Sequence, residues 1–85
     1  MEEQILDALR RGDTQAALDL ARSLVADAPD DARAHHLLAL ALRSTGDNDG
    51  ARASIEYAVS LAPDDARLHL EHAGALLAAR ELESA

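Results

Sequence analysis

The stretch APDDARAHH occupies residues 28–36, and the near-copy APDDARLHL follows at residues 62–70, 34 positions later. Proline cannot continue a helix, and an aspartate side chain accepts hydrogen bonds from the free N–H groups that begin the next one. The flanking copies, Gly12 to His35 and Gly46 to His69, share mainly turn residues, cap residues and small helix residues. We therefore interpret the repeated stretch as a structural joint, the turn that ends one helix and begins the next, and not as a catalytic signature. The joint occurs twice in the chain.

Two helices are predicted from the first joint to the second. Residues 32–42, ARAHHLLALAL, contain no β-branched residue and carry apolar side chains at helical spacing. Gly46 then supplies a left-handed stop, and Asp47 supplies the cap of the next helix. That helix is predicted from about Asn48 to Leu61, because Pro63 ends it.

The same order of signals predicts further helices towards both ends of the chain. Gly12 and Asp13 open a helix that ends before Pro29. Asp64 and Asp65 open another that runs to about Arg80. The RELESA segment that begins there is expected to form a turn and the opening of one more helix.

Composition limits the classes of partner. The formal net charge of the 85 residues is -8, and all eight basic residues are arginine, which disfavours nucleic acid and anionic membrane surfaces. Tyr57 is the one aromatic residue, so base stacking is disfavoured as well. No cysteine is present, and the N-terminus reads as neither a secretory signal nor a spanning helix. These features predict a cytoplasmic protein.

A period of 34 residues made of two antiparallel helices resembles the tetratricopeptide repeat. The positions that carry the resemblance are His35, Leu38, Ala39, Leu42, Gly46, Asp47, Ala51, Ile55 and Pro63. His, Leu and Ile stand where that family's pattern has large aromatic residues, so spacing and small residues carry the match. The resemblance implies an all-α, right-handed α-α superhelix of about two and a half helical hairpins, with five helices in total.

The same resemblance divides the chain. Residues 1–85 are expected to form a single repeat domain, with a degenerate first repeat at 1–28, a complete repeat at 29–62 and a partial, truncated third repeat at 63–85. Gln4 and Ile5 depart from the family pattern, so the first helix is expected to be irregular and loosely packed. The last helix carries four leucines that would lack a partner, unless this helix is itself a cap: Leu68, Leu70, Leu76 and Leu77.

Four histidines are the plausible groups for metal binding or catalysis. His69 and His72 are three residues apart and could share one face of a helix. The simpler interpretation is that His35 and His69 fill the wide slot that the family gives to tryptophan, and we favour it. No nucleophile relay or glycine-rich phosphate loop is evident. The sequence therefore predicts no enzyme activity, no metal and no cofactor.

A second stripe on the helix after the first joint is predicted to line a concave groove, as the resemblance implies. The predicted groove residues are Arg33, His36, Leu37, Leu40, Ser44, Arg67, Leu70, Glu71 and Gly74, and Leu6 and Leu9 could extend the groove. Arg33 and Arg67 either hold an acidic ligand or pair locally with Asp30 and Asp64, and local pairing is favoured. Only Arg67 agrees with the basic slots by which some family members clamp a carboxylate, so that specialised function is not predicted.

The functional prediction is a non-catalytic module that binds a peptide or helix of a partner protein in this groove. The alternative is an accessory repeat segment of a larger bacterial enzyme, since similar repeats are often fused to transferase or hydroxylase domains. A third hypothesis is a homo-oligomer formed through the uncapped C-terminal helix.

Overall fold

The structure is a computed structural model that describes the backbone of residues 2–84 and the side chains of residues 2–74 and Leu77. Five helices and no strand occur in this part of the chain, which confirms the predicted all-α fold. The helices are α1 (Glu2–Arg10), α2 (Thr14–Asp27), α3 (Ala32–Ser44), α4 (Asn48–Leu61) and α5 (Ala66–Ser84).

Aspartate side chains cap the helices as the sequence predicts. The carboxylates of Asp13, Asp31, Asp47 and Asp65 each accept a hydrogen bond from a backbone N–H in the first turn of α2, α3, α4 and α5, over 2.9–3.3 Å. Each bond satisfies one of the N–H groups that a helix start leaves free. Four of the sixteen acidic residues of this chain therefore cap helices.

The turns inside each hairpin need glycine. Gly12 and Gly46 have φ angles of +78° and +93°, a region that side chains with a Cβ rarely adopt. After Gly46 the backbone N–H of Asp47 donates to the Leu42 carbonyl over 3.0 Å, which closes the end of α3. The predicted left-handed stop at Gly46 is confirmed.

The repeated joint is held by the same hydrogen bond in both copies. The Nε2 of His35 donates to the carbonyl oxygen of Pro29 over 2.7 Å, and the Nε2 of His69 donates to that of Pro63 over 2.6 Å. In the first copy the His35 ring also packs on the Tyr57 ring, with centroids 4.5 Å apart. His35 thus links α3 to the turn at Pro29, and the equivalent His69 links α5 to the turn at Pro63.

Two buried clusters make up the core. The first joins α1, α2 and α3, and the second joins α3 and α4 to the start of α5. The expectation of a loosely packed first helix is wrong, because Ile5 is 0% exposed and Ala8 is buried beside it on α1. These two residues are three positions apart and present one apolar side to α2 and α3.

The order of packing is that of a helical-repeat solenoid. Each helix packs against the next one in the chain, and α1 also contacts α3. Because α1, α3 and α5 line one groove together, they form one side of the array, with α2 and α4 behind them. The predicted solenoid is confirmed, while the repeat boundaries at 28/29 and 62/63 stay a prediction.

The end of α5 differs from the expectation. The helix continues from Ala66 to Ser84 without the turn predicted near Arg80. The RELES segment contains neither glycine nor proline and is rich in good helix formers, so nothing in it stops the helix. Leu68 is buried, whereas Leu70 and Leu77 are exposed, and the Leu76 side chain lies outside the described residues.

Candidate functional site

A groove of about 220 Å³ lies between α1, α3 and α5. It is smaller than the pockets that usually hold drug-sized ligands, which favours one or a few side chains of a peptide over a cofactor. Five of the nine predicted groove residues line it. The lining residues are Glu2, Leu6, Arg33, His36, Leu37, Leu40, Asp65, Arg67 and Leu68.

Leucines form the apolar part of the groove. Leu37 is only 4% exposed and belongs to the core between α1, α2 and α3, so it is both the floor of the groove and part of the fold. Leu40 is half-buried beside it, and Leu6 of α1 is 38% exposed at the wall. Leu6 is therefore the apolar wall residue that a ligand can contact and that the fold depends on least.

His36 lines the groove and carries a polar atom without a hydrogen-bond partner. Its Nε2 is buried and has no hydrogen-bond partner among the described residues. Burial lowers the pKa of His36 below its ordinary value, an effect that outweighs the attraction of Glu71 for the charged form. Burial therefore favours the neutral form of the imidazole.

Two ion pairs, each between an arginine and a carboxylate, flank the apolar floor. Arg33 pairs with Glu2 of α1, which is 31 positions away in the sequence, and not with Asp30. The Nε of Arg67 lies 3.8 Å from the Asp65 carboxylate, one residue away from the Asp64 partner favoured from sequence. Two arginines face two carboxylates, so the charges at the rim cancel.

The other four predicted residues do not line the groove. The Glu71 carboxylate lies 3.4 Å from the Arg43 guanidinium and links α5 to α3 beside the groove. The Ser44 hydroxyl donates to the Ala41 carbonyl of its own helix over 2.7 Å. Leu70 is 73% exposed, and an added Cβ on Gly74 would meet no described atom within 4 Å.

Besides Leu6, which the sequence predicts as a possible extension of the groove, three lining residues are not among the predicted groove residues. Glu2 reaches the groove because α1 packs on α3, a contact that local spacing does not reveal. Asp65 caps α5 and therefore sits beside Arg67, which the repeat of the APDD stretch could have indicated. Leu68 lies one position from Arg67 and lines both the groove and the second core cluster.

The histidines outside the groove are engaged in other contacts. His35 and His69 bond to proline carbonyls, and the Nε2 of His72 lies 3.8 Å from Glu56. Within the described side chains, no three histidine, aspartate or glutamate groups come together as metal ligands would. None of the helices in the described part of the chain combines the length and the hydrophobicity needed to span a bilayer.

In a comparison with known protein families, one family model matches this chain, in two places. The family model described as Tetratricopeptide repeat matches residues 3–66 and, in a second overlapping match, residues 36–85. Comparison with curated proteins and with solved structures gives no significant match. The two family matches start 33 positions apart and together extend from residue 3 to residue 85.

Proposed function

Because the chain belongs to the tetratricopeptide repeat family, we propose that it is a non-catalytic interaction module whose groove holds a peptide or helix of a partner protein. Tetratricopeptide repeats generally mediate protein–protein interaction and use the concave surfaces of stacked helices. In this chain that surface is the groove between α1, α3 and α5. The residues that we propose to contact the ligand are the nine that line this groove.

The observation that carries this proposal is the unpaired nitrogen of His36 beside the apolar floor. A buried polar atom without a partner costs about 1–3 kcal/mol of stability. The fold gains nothing from this nitrogen, because no described residue bonds to it. A ligand that donates a hydrogen bond to Nε2, or accepts one from it, would remove that cost.

The surroundings of His36 indicate what the ligand is. The leucines favour an apolar side chain, and His36 favours one polar group next to it. The rim charges cancel and the formal net charge of the chain is -8, which supports a protein ligand over nucleic acid or an anionic membrane. The location in the cytoplasm and the bacterial origin stay predictions.

Selection of peptides from a random library displayed on phage, followed by NMR mapping of the bound peptide, tests the groove. We expect selected peptides to shift the amide resonances of Leu6, His36 and Leu40. Leu6→Glu should weaken their binding by about tenfold or more, because it places a charge against an apolar side chain. Ala53→Glu adds the same charge to an exposed position of α4 and should leave binding unchanged.

His36→Leu separates a binding role from a structural one. Leucine removes the unpaired nitrogen, so the variant should unfold at a higher urea concentration than the natural chain. The same variant should bind the selected peptides more weakly, because the hydrogen bond is lost. Peptides that bind Leu6→Glu and His36→Leu as tightly as the natural chain would contradict the proposal.

The alternative function is an accessory repeat segment that packs on the catalytic domain of a larger enzyme. The exposed Leu70 and Leu77 favour it, since a second domain would cover them. In that case peptide selection should yield no groove ligand, and the full-length parent protein should show α5 buried against another domain. Hydrogen exchange of α5 in the parent protein and in the isolated chain distinguishes the two functions.

A further inference from the structure

The outward side of α5 carries exposed leucines. Leu70 and Leu77 are 73% and 59% exposed, the highest values among the large apolar side chains that are described, whereas Leu68 on the opposite side is 3% exposed. Positions 67, 70, 74, 77 and 81 follow one another at steps of three and four residues, so they share one side of the helix. We name these five positions the α5 stripe.

Gly74 lies at the centre of the α5 stripe and has no role in the described fold. Glycine is less favourable than alanine inside a helix, because it has more freedom to lose. An added Cβ at this position would meet no described atom within 4 Å. A glycine with free space in front of it does, however, allow the backbone of another helix to come close.

The α5 stripe is complementary to the same stripe of a second copy when the two helices run antiparallel. It reads Arg, Leu, Gly, Leu, Glu from position 67 to position 81. In an antiparallel pair centred on Gly74, Arg67 comes opposite position 81, and Leu70 comes opposite position 78, one residue from position 77. Leucine is then within one residue of leucine, and the sequence has opposite charges at positions 67 and 81, whereas a parallel pair would bring like charges together.

We infer that α5 pairs with α5 of a second copy of this chain, in an antiparallel two-fold contact centred on Gly74. A second copy fits because a two-fold contact requires each surface to complement itself, which the α5 stripe does. The Arg67 side chain is 77% exposed beside Asp65, so the second copy can contact its guanidinium from the solvent side. One side of a helix of 19 residues, about 28 Å long, is a small contact, so the dimer dissociates on dilution.

This pairing is a proposal beyond the groove function, and separate experiments can contradict the two proposals. Leu77→Glu should weaken the dimer and leave the binding of groove peptides unchanged. Leu6→Glu should weaken peptide binding and leave the dimer unchanged, because Leu6 lies on α1. A groove without ligands would not contradict the dimer, and a monomer would not contradict the groove.

Sedimentation equilibrium of the full chain from about 10 µM to about 1 mM tests the dimer. We expect a monomer–dimer equilibrium, and we expect Gly74→Ala to raise the dissociation constant by about tenfold or more. The same variant should raise the urea midpoint of the dilute monomer, because alanine favours the helix. A monomer at about 1 mM, or a Gly74→Ala dimer as tight as the natural one, would overturn the inference.

A charge exchange tests the antiparallel orientation. Arg67→Glu should weaken the dimer, and the double variant Arg67→Glu with Glu81→Arg should restore it, since the opposite charges are merely swapped between the helices. Arg22→Glu makes the same charge change on an exposed position of α2 and should leave the dimer unchanged. A double variant as weak as Arg67→Glu alone would rule out this orientation.

Discussion

The two copies of the joint allow one prediction to be tested inside a single molecule. His35→Ala and His69→Ala remove the same side-chain hydrogen bond, to Pro29 and Pro63. Among the described side chains, the aromatic contact exists only between His35 and Tyr57. We therefore expect unequal costs from the two substitutions, although the two stretches of sequence are nearly identical.

The magnitudes follow from these contacts. One hydrogen bond contributes about 0.5–1.5 kcal/mol to the free energy of unfolding. A ring pair such as His35 with Tyr57 adds about 0.5–1.5 kcal/mol. His69→Ala should therefore cost about 0.5–1.5 kcal/mol and His35→Ala about 1–3 kcal/mol, where each kcal/mol corresponds to about 4–8 °C in Tm for a domain of this size.

Urea denaturation followed by circular dichroism at a low protein concentration measures both costs. A double-mutant cycle of His35→Ala with Tyr57→Leu should give a coupling energy of about 0.5–1.5 kcal/mol. The matched cycle of His69→Ala with Tyr57→Leu should give none. Equal costs for the two histidines, or no coupling between His35 and Tyr57, would refute this account of the joint.

Three further predictions concern the core, the turn and the groove. Ile5→Ala and Ile55→Ala should each lower the free energy of unfolding by about 2–5 kcal/mol in urea denaturation, since both side chains are fully buried; a small loss at Ile5 would indicate that α1 is not part of the core. Gly46→Ala should cost about 1–2 kcal/mol in the same assay, because its φ of +93° disfavours a Cβ even though no atom lies nearby; an unchanged midpoint would contradict the strain. Stability should fall as the pH decreases below 6.5 towards the lowered pKa of His36, because the unfolded chain binds the proton first; His36→Leu should reduce that fall between pH 7 and pH 5, and an identical pH profile would show that His36 is not its source.

Much of the fold could be predicted because its boundaries are set by residues with local physical roles. Gly46 adopts a backbone conformation that few other residues tolerate, and Asp47 satisfies an N–H group within its own helix. Such effects act over a few residues and are readable from sequence. The end of α5 differs from the prediction because the repeat spacing favours a turn near Arg80, whereas the residues there favour a helix.

The groove was harder to predict because it depends on how whole helices rotate and pack. Leu37 lies on the side of α3 that faces the groove, but α1 and α2 bury it, so its role is shared between ligand contact and core. The pair of Glu2 with Arg33 joins residues 31 positions apart, which no local spacing indicates. The mismatch of Ile5 to the family pattern predicts loose packing, whereas its burial follows from the contact of α1 with α2 and α3.

The hydrogen bond from histidine to the proline carbonyl occurs in the same form at both joints. Because His35 and His69 bond to the preceding turn in the same way, we expect successive hairpins to be set at the same tilt. Inserting extra copies of residues 29–62 in tandem should therefore lengthen the array with a constant pitch, and the gain in stability for each added copy should be roughly constant. The joint would then serve as a building unit for scaffolds of chosen length.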